Sequence, residues 1–251
     1  KVSQKNKIQM GKQALITGGT KGIGNAVAEC LAKSGYDLLL TYASDTERAK
    51  RVQSDLQGKY KINVEILQAD ASDMGQIEVI NSFLEKGDIL LDALVLNAGS
   101  TCRDSFEKLQ MEDWQRVFTV NVHFPVFLLQ RIINHIRPGG CVVFTGSLMA
   151  IEPHSVSLAY GVTKSAVHSL VKNLVKFLVP YQIRVNGVAP GFVDTEWQKN
   201  KPAEIRHNIE RKVSLGRFCE PEEVAEVYKM LLENKYFNGE IVVVDGGYSY
   251  K

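Results

Sequence analysis

Seven short, apolar-rich runs of the chain, several of them apolar almost throughout, alternate with longer stretches that are amphipathic as helices. The runs cover residues 13–17, 37–42, 63–68, 93–97, 141–145, 184–189 and 241–245. Leu38-Leu39-Leu40 and Ile241-Val242-Val243-Val244 show no polar alternation, as expected of strands buried on both faces of a parallel sheet. The intervening stretches, residues 22–34 and 112–136 among them, read as crossover helices. Regular alternation of strand and helix predicts an α/β fold, a doubly wound parallel sheet of about seven strands with helices on both faces.

No repeat, low-complexity tract or Pro/Gly-rich linker interrupts this alternation, so residues 1–251 are expected to form one domain, with a polar extension over residues 1–10. At 251 residues, 45% hydrophobic and 23% charged, the chain is long enough for one large core. The net charge of +2 is small and its cations are scattered, which argues against nucleic acid or an anionic membrane as partner. The first nine residues lack an apolar leader segment and no apolar run is long enough to span a bilayer, so the expected location is cytoplasmic. Cys30, Cys102, Cys141 and Cys219 lie far apart without metal-ligand spacing and read as reduced thiols.

Chemistry enters at two places. The first run leads into Thr17-Gly18-Gly19-Thr20-Lys21-Gly22-Ile23-Gly24 and then a helix. Glycines there let the backbone turn sharply and approach a pyrophosphate, whose charge the amides and dipole of a helix start can hold. An ordinary strand-to-helix turn is the plainer alternative. Farther along, Ser147 closes an apolar run, and Tyr160 and Lys164 follow one helical turn apart. A lysine at i+4 is placed to lower the pKa of a tyrosine and make it a usable proton donor. On its own such spacing is usually an exposed helix pair, and Ser147 alone reads as a helix-capping or turn serine.

The glycine loop, Asn97-Ala98-Gly99, Asn121, Ser147, Tyr160, Lys164 and Pro190-Gly191 together resemble the short-chain dehydrogenase/reductase family, in that family's order and spacing, from Lys12 to about Tyr248. The resemblance implies a Rossmann-type sheet. Residues 214–217, 220–225, 238–240 and 245–247 are further similar to 3-oxoacyl-(acyl-carrier-protein) reductases, members of fatty acid biosynthesis. On this likeness Tyr160 would be the general acid that protonates a ketone oxygen, Ser147 its hydrogen-bond anchor, and Lys164 the cation that lowers the tyrosine pKa and holds the nicotinamide ribose. Asn121 would hold a water on its main-chain carbonyl. Pro125, four residues on, has no N–H to occupy that carbonyl, so it either opens the water site or only kinks the helix for packing.

The same likeness assigns cofactor contacts to Gly18, Thr20, Lys21, Gly22, Ile23, Gly24, Ser44, Asp70, Ala71, Asn97, Ala98, Gly99, Pro190, Gly191, Val193 and Thr195, besides Tyr160 and Lys164. NAD-specific folds place an acid at the end of the second strand for the ribose 2′-hydroxyl. Here the strand ends Tyr42-Ala43-Ser44, and Asp45 comes a few ångströms late. Lys21, with Ser44 or Arg48, suits a 2′-phosphate, so NADP(H) is expected ahead of NAD(H).

Residues 196–213, with Trp197 near the start, lie where relatives carry a substrate lid. Lys199, Lys201, Arg206, Arg211 and Lys212 could meet an acyl carrier protein, or form a solvated helix face. Tyr181 and Gln182 stand where such reductases tend to carry an exposed arginine, a departure that leaves the substrate open between a small-molecule and a carrier-bound ketone. His123, His135, His154, His168 and His207 show no metal spacing and receive no catalytic role, with His154 placed near the substrate pocket. Family analogy adds a homotetramer. A nucleotide-binding regulatory protein without catalysis is the competing reading.

Overall fold

Side chains along the strands alternate between two faces, and both faces are buried. The protein, described by a computed structural model over residues 11–153, 157–199 and 201–250, runs β1 (Lys12–Ile16), α1 (Gly22–Lys33), β2 (Tyr36–Tyr42), α2 (Thr46–Tyr60), β3 (Val64–Gln68), α3 (Gln76–Lys86), β4 (Leu91–Leu96), α4 (Met111–Phe118), α5 (Phe124–Arg131), β5 (Ile136–Thr145), α6 (Leu158–Leu178), β6 (Arg184–Pro190), α7 (Glu196–Lys199), α8 (Ala203–Lys212), α9 (Pro221–Glu233) and β7 (Ile241–Val244). On one face Ala14, Ile16, Leu38, Leu40 and Val143 pack under α1 and α9, where Leu31, Tyr228 and Leu231 are buried. On the other, Leu15, Leu39, Leu94 and Val142 pack under α3, α5 and α6 through Ile80, Leu128 and Val171. Leu94 and Leu128 are fully buried, and truncating either to alanine costs about 2–5 kcal/mol.

All strands are parallel, in the order β3-β2-β1-β4-β5-β6-β7. The seven predicted runs are these seven strands, with ends displaced by a few residues. Chain progression reverses direction between β1 and β4. The loops leaving these two strands therefore diverge and open a crevice at their carboxyl ends, the usual ligand position of such sheets.

The helix expected over 112–136 is not continuous. It breaks into α4 and α5 around a π-helical turn, Thr119–His123, in which Phe124 N–H donates to the Thr119 carbonyl five residues back. It also ends early, because Ile136 already begins β5. Among the described residues no helix is long and apolar enough to cross a membrane. All four cysteines are free thiols.

Candidate active site

The loop after β1 is shaped by contacts that only glycine allows. Gly18 and Gly22 have φ of 63° and 53°. A Cβ on Gly24 would lie 2.2 Å from the Gly18 carbonyl oxygen and 2.6 Å from Asn97 Nδ2, so α1 starts pressed against the loop. Asn97 Nδ2 donates to the carbonyls of Thr17 (3.1 Å) and Gly18 (3.3 Å), while Thr17 Oγ1 accepts from the amides of Asn97 (2.9 Å) and Ala98 (3.1 Å). The loops of β1 and β4 thus form one rigid floor. The first turn of α1 has neither an acidic residue nor a side-chain cap, which leaves its leading amides for an anion. A dinucleotide's pyrophosphate fits this cradle.

The opposite wall is α6, where Tyr160, Lys164 and His168 recur at four-residue spacing on one helical face. Lys164 is 3% exposed, and its Nζ donates to the Thr145 carbonyl at 2.6 Å. Burial without a carboxylate partner pulls its pKa down to about 8. Its ammonium lies 5.4 Å from the Tyr160 ring centroid. Burial pushes the Tyr160 phenol above its ordinary pKa, opposed by a hydrogen bond from Ser147. The depression expected for Tyr160 is therefore absent from the protein alone, because desolvation of the phenolate outweighs what its neighbours return. Ser147 Oγ also accepts from Met149 N–H at 3.1 Å, capping the turn that follows β5. One hydroxyl thus both caps this turn and faces Tyr160.

Asn121 is 2% exposed and its side chain is fully engaged. Its Nδ2 donates to the Ser100 carbonyl (3.0 Å) and Thr163 Oγ1 (2.9 Å), and its Oδ1 accepts from Ser100 N–H (2.8 Å). Thr163 Oγ1 in turn donates to the Tyr160 carbonyl at 2.9 Å. Asn121 sits within the π-helical turn, four residues before Pro125, which supplies no N–H.

One cleft joins these walls. Gly18, Lys21, Gly22 and Ile23 line it, as do Asn97, Ala98, Gly99, Ser147, Tyr160 and Lys164. Pro190, Gly191, Val193 and Thr195 complete it from the β6 side. Thr20, Gly24, Ser44, Asp70, Ala71 and Asn121 are not on its wall. Ser44, Asp70 and Ala71 follow β2 and β3 at the same carboxyl edge of the sheet. Asp45 accepts from Arg48 N–H at 3.0 Å and so caps α2. The Arg48 guanidinium forks onto Glu196 at 2.7 and 2.8 Å.

Within 196–213, Trp197 stands edge-on to Tyr160, centroids 6.1 Å apart. Arg206 turns inward to Asp194 (3.1 Å) and over the Phe218 ring (4.3 Å), leaving the acidic-partner reading fewer cations. His154 and Asn200 lie outside the described residues. Cys102, Asp104 and Asp113 converge within 4.8 Å, but Cys102 donates to Asp104 and Asp113 pairs with Arg116.

Three residues to which the sequence assigned no role stand beside this site. His168 accepts from Ser147 N–H through Nε2 at 3.3 Å; its position one turn past Lys164 was a usable signal. Thr163, beside Lys164, offered no periodicity of its own. Tyr228, whose hydroxyl lies 2.7 Å from Thr145 Oγ1, comes from 83 residues away, and no local pattern points to it.

Residues 18–249 match a family model described as enoyl-(acyl carrier protein) reductase. The chain is 34% identical over 243 residues to the uncharacterized oxidoreductase YmfI of Bacillus subtilis, covering 95% of this chain and 99% of that protein. It is 32% identical over 243 residues to the 3-oxoacyl-[acyl-carrier-protein] reductase FabG of Aquifex aeolicus, with 94% and 97% covered. A short-chain dehydrogenase from Burkholderia cenocepacia, solved with NADP, superposes with a TM-score of 0.88 at 29% identity over 95% of this chain and 98% of the other.

Proposed function

Since the chain belongs to the short-chain dehydrogenase/reductase family and is an oxidoreductase, we propose that it reduces a ketone with NADPH, the best candidate being a 3-oxoacyl thioester that becomes the 3-hydroxyacyl product. The observation that carries this reading is the meeting of Ser147, Tyr160 and Lys164 in the cleft that the glycine loop floors. NADPH, when bound, supplies the hydride. The chain's own residues handle the proton: ketone, NADPH and one proton give alcohol and NADP⁺.

Ser147 would donate to the ketone oxygen and fix it beside Tyr160. Tyr160 would pass its phenolic proton to that oxygen as negative charge develops there. The Lys164 ammonium, protonated below about pH 8, favours the phenolate left behind. The Asn121 carbonyl would hold a relay water, Pro125 leaving it without the usual helical donor. Thr195 would orient the carboxamide end of the cofactor, and Asp70 and Ala71 would border its adenine.

NADPH is favoured over NADH because Asp45, the first acid after β2, spends its carboxylate on capping α2, while Lys21 lines the cleft and both Lys21 and Arg48 bear on the cleft-lining Glu196. Relatives named for acyl-carrier-protein substrates support the thioester. Residues 196–213 would be the substrate lid, with Trp197 closing on Tyr160. Loss of NADPH absorbance with acetoacetyl thioester, reduced at least ~10²-fold in Tyr160→Phe with NADPH affinity retained, is the expected result. NADPH binding without turnover across a ketone panel would replace this reading by the non-catalytic one, and a higher kcat/KM with NADH would overturn the cofactor.

A further inference from the structure

We propose that His168 is a positioning residue: its Nε2 takes the backbone N–H of Ser147 and so fixes the direction of the Ser147 hydroxyl. The role assigned to Ser147 rests on the reduction proposed above; the hydrogen bond stands on the geometry.

Strand pairing runs out at this point of the chain. Gly146 N–H still reaches the Val188 carbonyl of β6 at 2.7 Å. The next amide, Ser147 N–H, belongs to a residue only 7% exposed and instead reaches His168 Nε2 at 3.3 Å. The imidazole is seated closely over the backbone. A Cβ on Gly146 would lie 2.3 Å from Nε2 and 2.7 Å from Cδ2, so this glycine makes the room that the ring occupies.

Accepting an N–H requires a bare lone pair on Nε2, hence a neutral ring with its proton on Nδ1. Burial and the ammonium groups of Lys164 and Lys172 maintain that state by holding the His168 pKa down near 4. Ser147 is thereby held at two atoms. Its amide donates to His168, its Oγ accepts from Met149 N–H, and the hydroxyl proton is left for Tyr160 or a substrate oxygen. Because His168 shares α6 with Tyr160 and Lys164, the bond ties a group on the β5 end to the helix that carries the other two.

Two variants of the full chain separate positioning from mere packing. His168→Met fills the space but cannot accept; His168→Gln keeps an acceptor at nearly the same reach. Hydrogen exchange of the Ser147 amide, followed by NMR, should accelerate about 10-fold in the Met variant and stay near wild type in the Gln variant. With a ketone that the wild type reduces, kcat should fall between about 10- and 100-fold in His168→Met, leaving the NADPH KM unchanged, and should recover to within about threefold in His168→Gln. Unchanged Ser147 exchange in the Met variant, an unchanged kcat once the amide is freed, or equal losses in both variants would overturn the proposal. If the Met variant does not fold, the Gln variant decides alone: wild-type exchange and turnover support the role, while a tenfold faster exchange or a tenfold slower turnover rejects it. A wild type that reduces no ketone sinks the functional reading, while the exchange rates still test the bond.

Discussion

Lys164 is the residue at which the proposed chemistry has a consequence for stability. An ammonium buried this deeply is destabilising while charged, and its folded pKa of about 8 lies below the ordinary 10.5. Between those values the unfolded chain holds the proton and the folded chain does not, so stability from this group rises with pH through that window, by roughly 3 kcal/mol in all. Cys30, Cys141 and Cys219 act in the opposite sense, since burial lifts their thiols to about 11 and the unfolded chain ionises first. The difference in Tm between wild type and Lys164→Met should therefore shift in favour of the wild type as pH rises from about 8 to 10. A difference that stays flat would show that Lys164 is not desolvated in solution. Over the same interval turnover should fall, because the charge that favours the phenolate is lost. Tyr228→Phe removes the hydroxyl beside Thr145 Oγ1. We expect a loss of stability of about 1 kcal/mol, measured by denaturant midpoint.

At the scale of elements, two helix boundaries are closed in opposite ways. The π-helical turn at Thr119–His123 places Asn121 where Pro125 withholds a donor, a kind of irregularity found often at functional sites. Pro125→Ala restores the N–H; the expected outcome is a folded enzyme with turnover reduced several-fold, and full activity would reduce Pro125 to a packing kink. The start of α9 shows the reverse case, an end closed by its own sequence. Glu220 and Glu223 form a capping box, and Glu223 forks onto Arg217 at 2.7 Å on both arms. Glu223→Ala should cost about 1 kcal/mol and lower Tm by about 2–4 °C without altering cofactor affinity. Capping-box residues are readable from sequence because their partners are three positions away. The break between α4 and α5 is legible only as the kink that Pro125 permits, since the apolar period continues across it.

For the whole molecule, the crevice between the loops of β1 and β4 is fixed by strand order, and Glu196 on its lining pairs with Arg48 of α2. Arg48→Ala should raise the KM for NADPH roughly tenfold and that for NADH far less; equal effects would mean that Arg48 serves only to hold Glu196. β7 ends the sheet with Val243 42% exposed. If the tetramer suggested by family likeness covers this edge, sedimentation will return about four times 28.0 kDa. The sequence by itself determined the seven strands, their burial on both faces, the glycine cradle, and the Tyr160–Lys164 pair, because each is written in neighbours within about one or two turns of chain. Only the tertiary structure decided that Thr145 receives Lys164, that His168 receives Ser147, that Asn121 bolts Ser100 to Thr163, and that burial raises Tyr160. Those contacts join residues from 19 to 42 positions apart in sequence, and hydrogen bonding and desolvation depend on what the fold brings within a few ångströms, which no local period encodes.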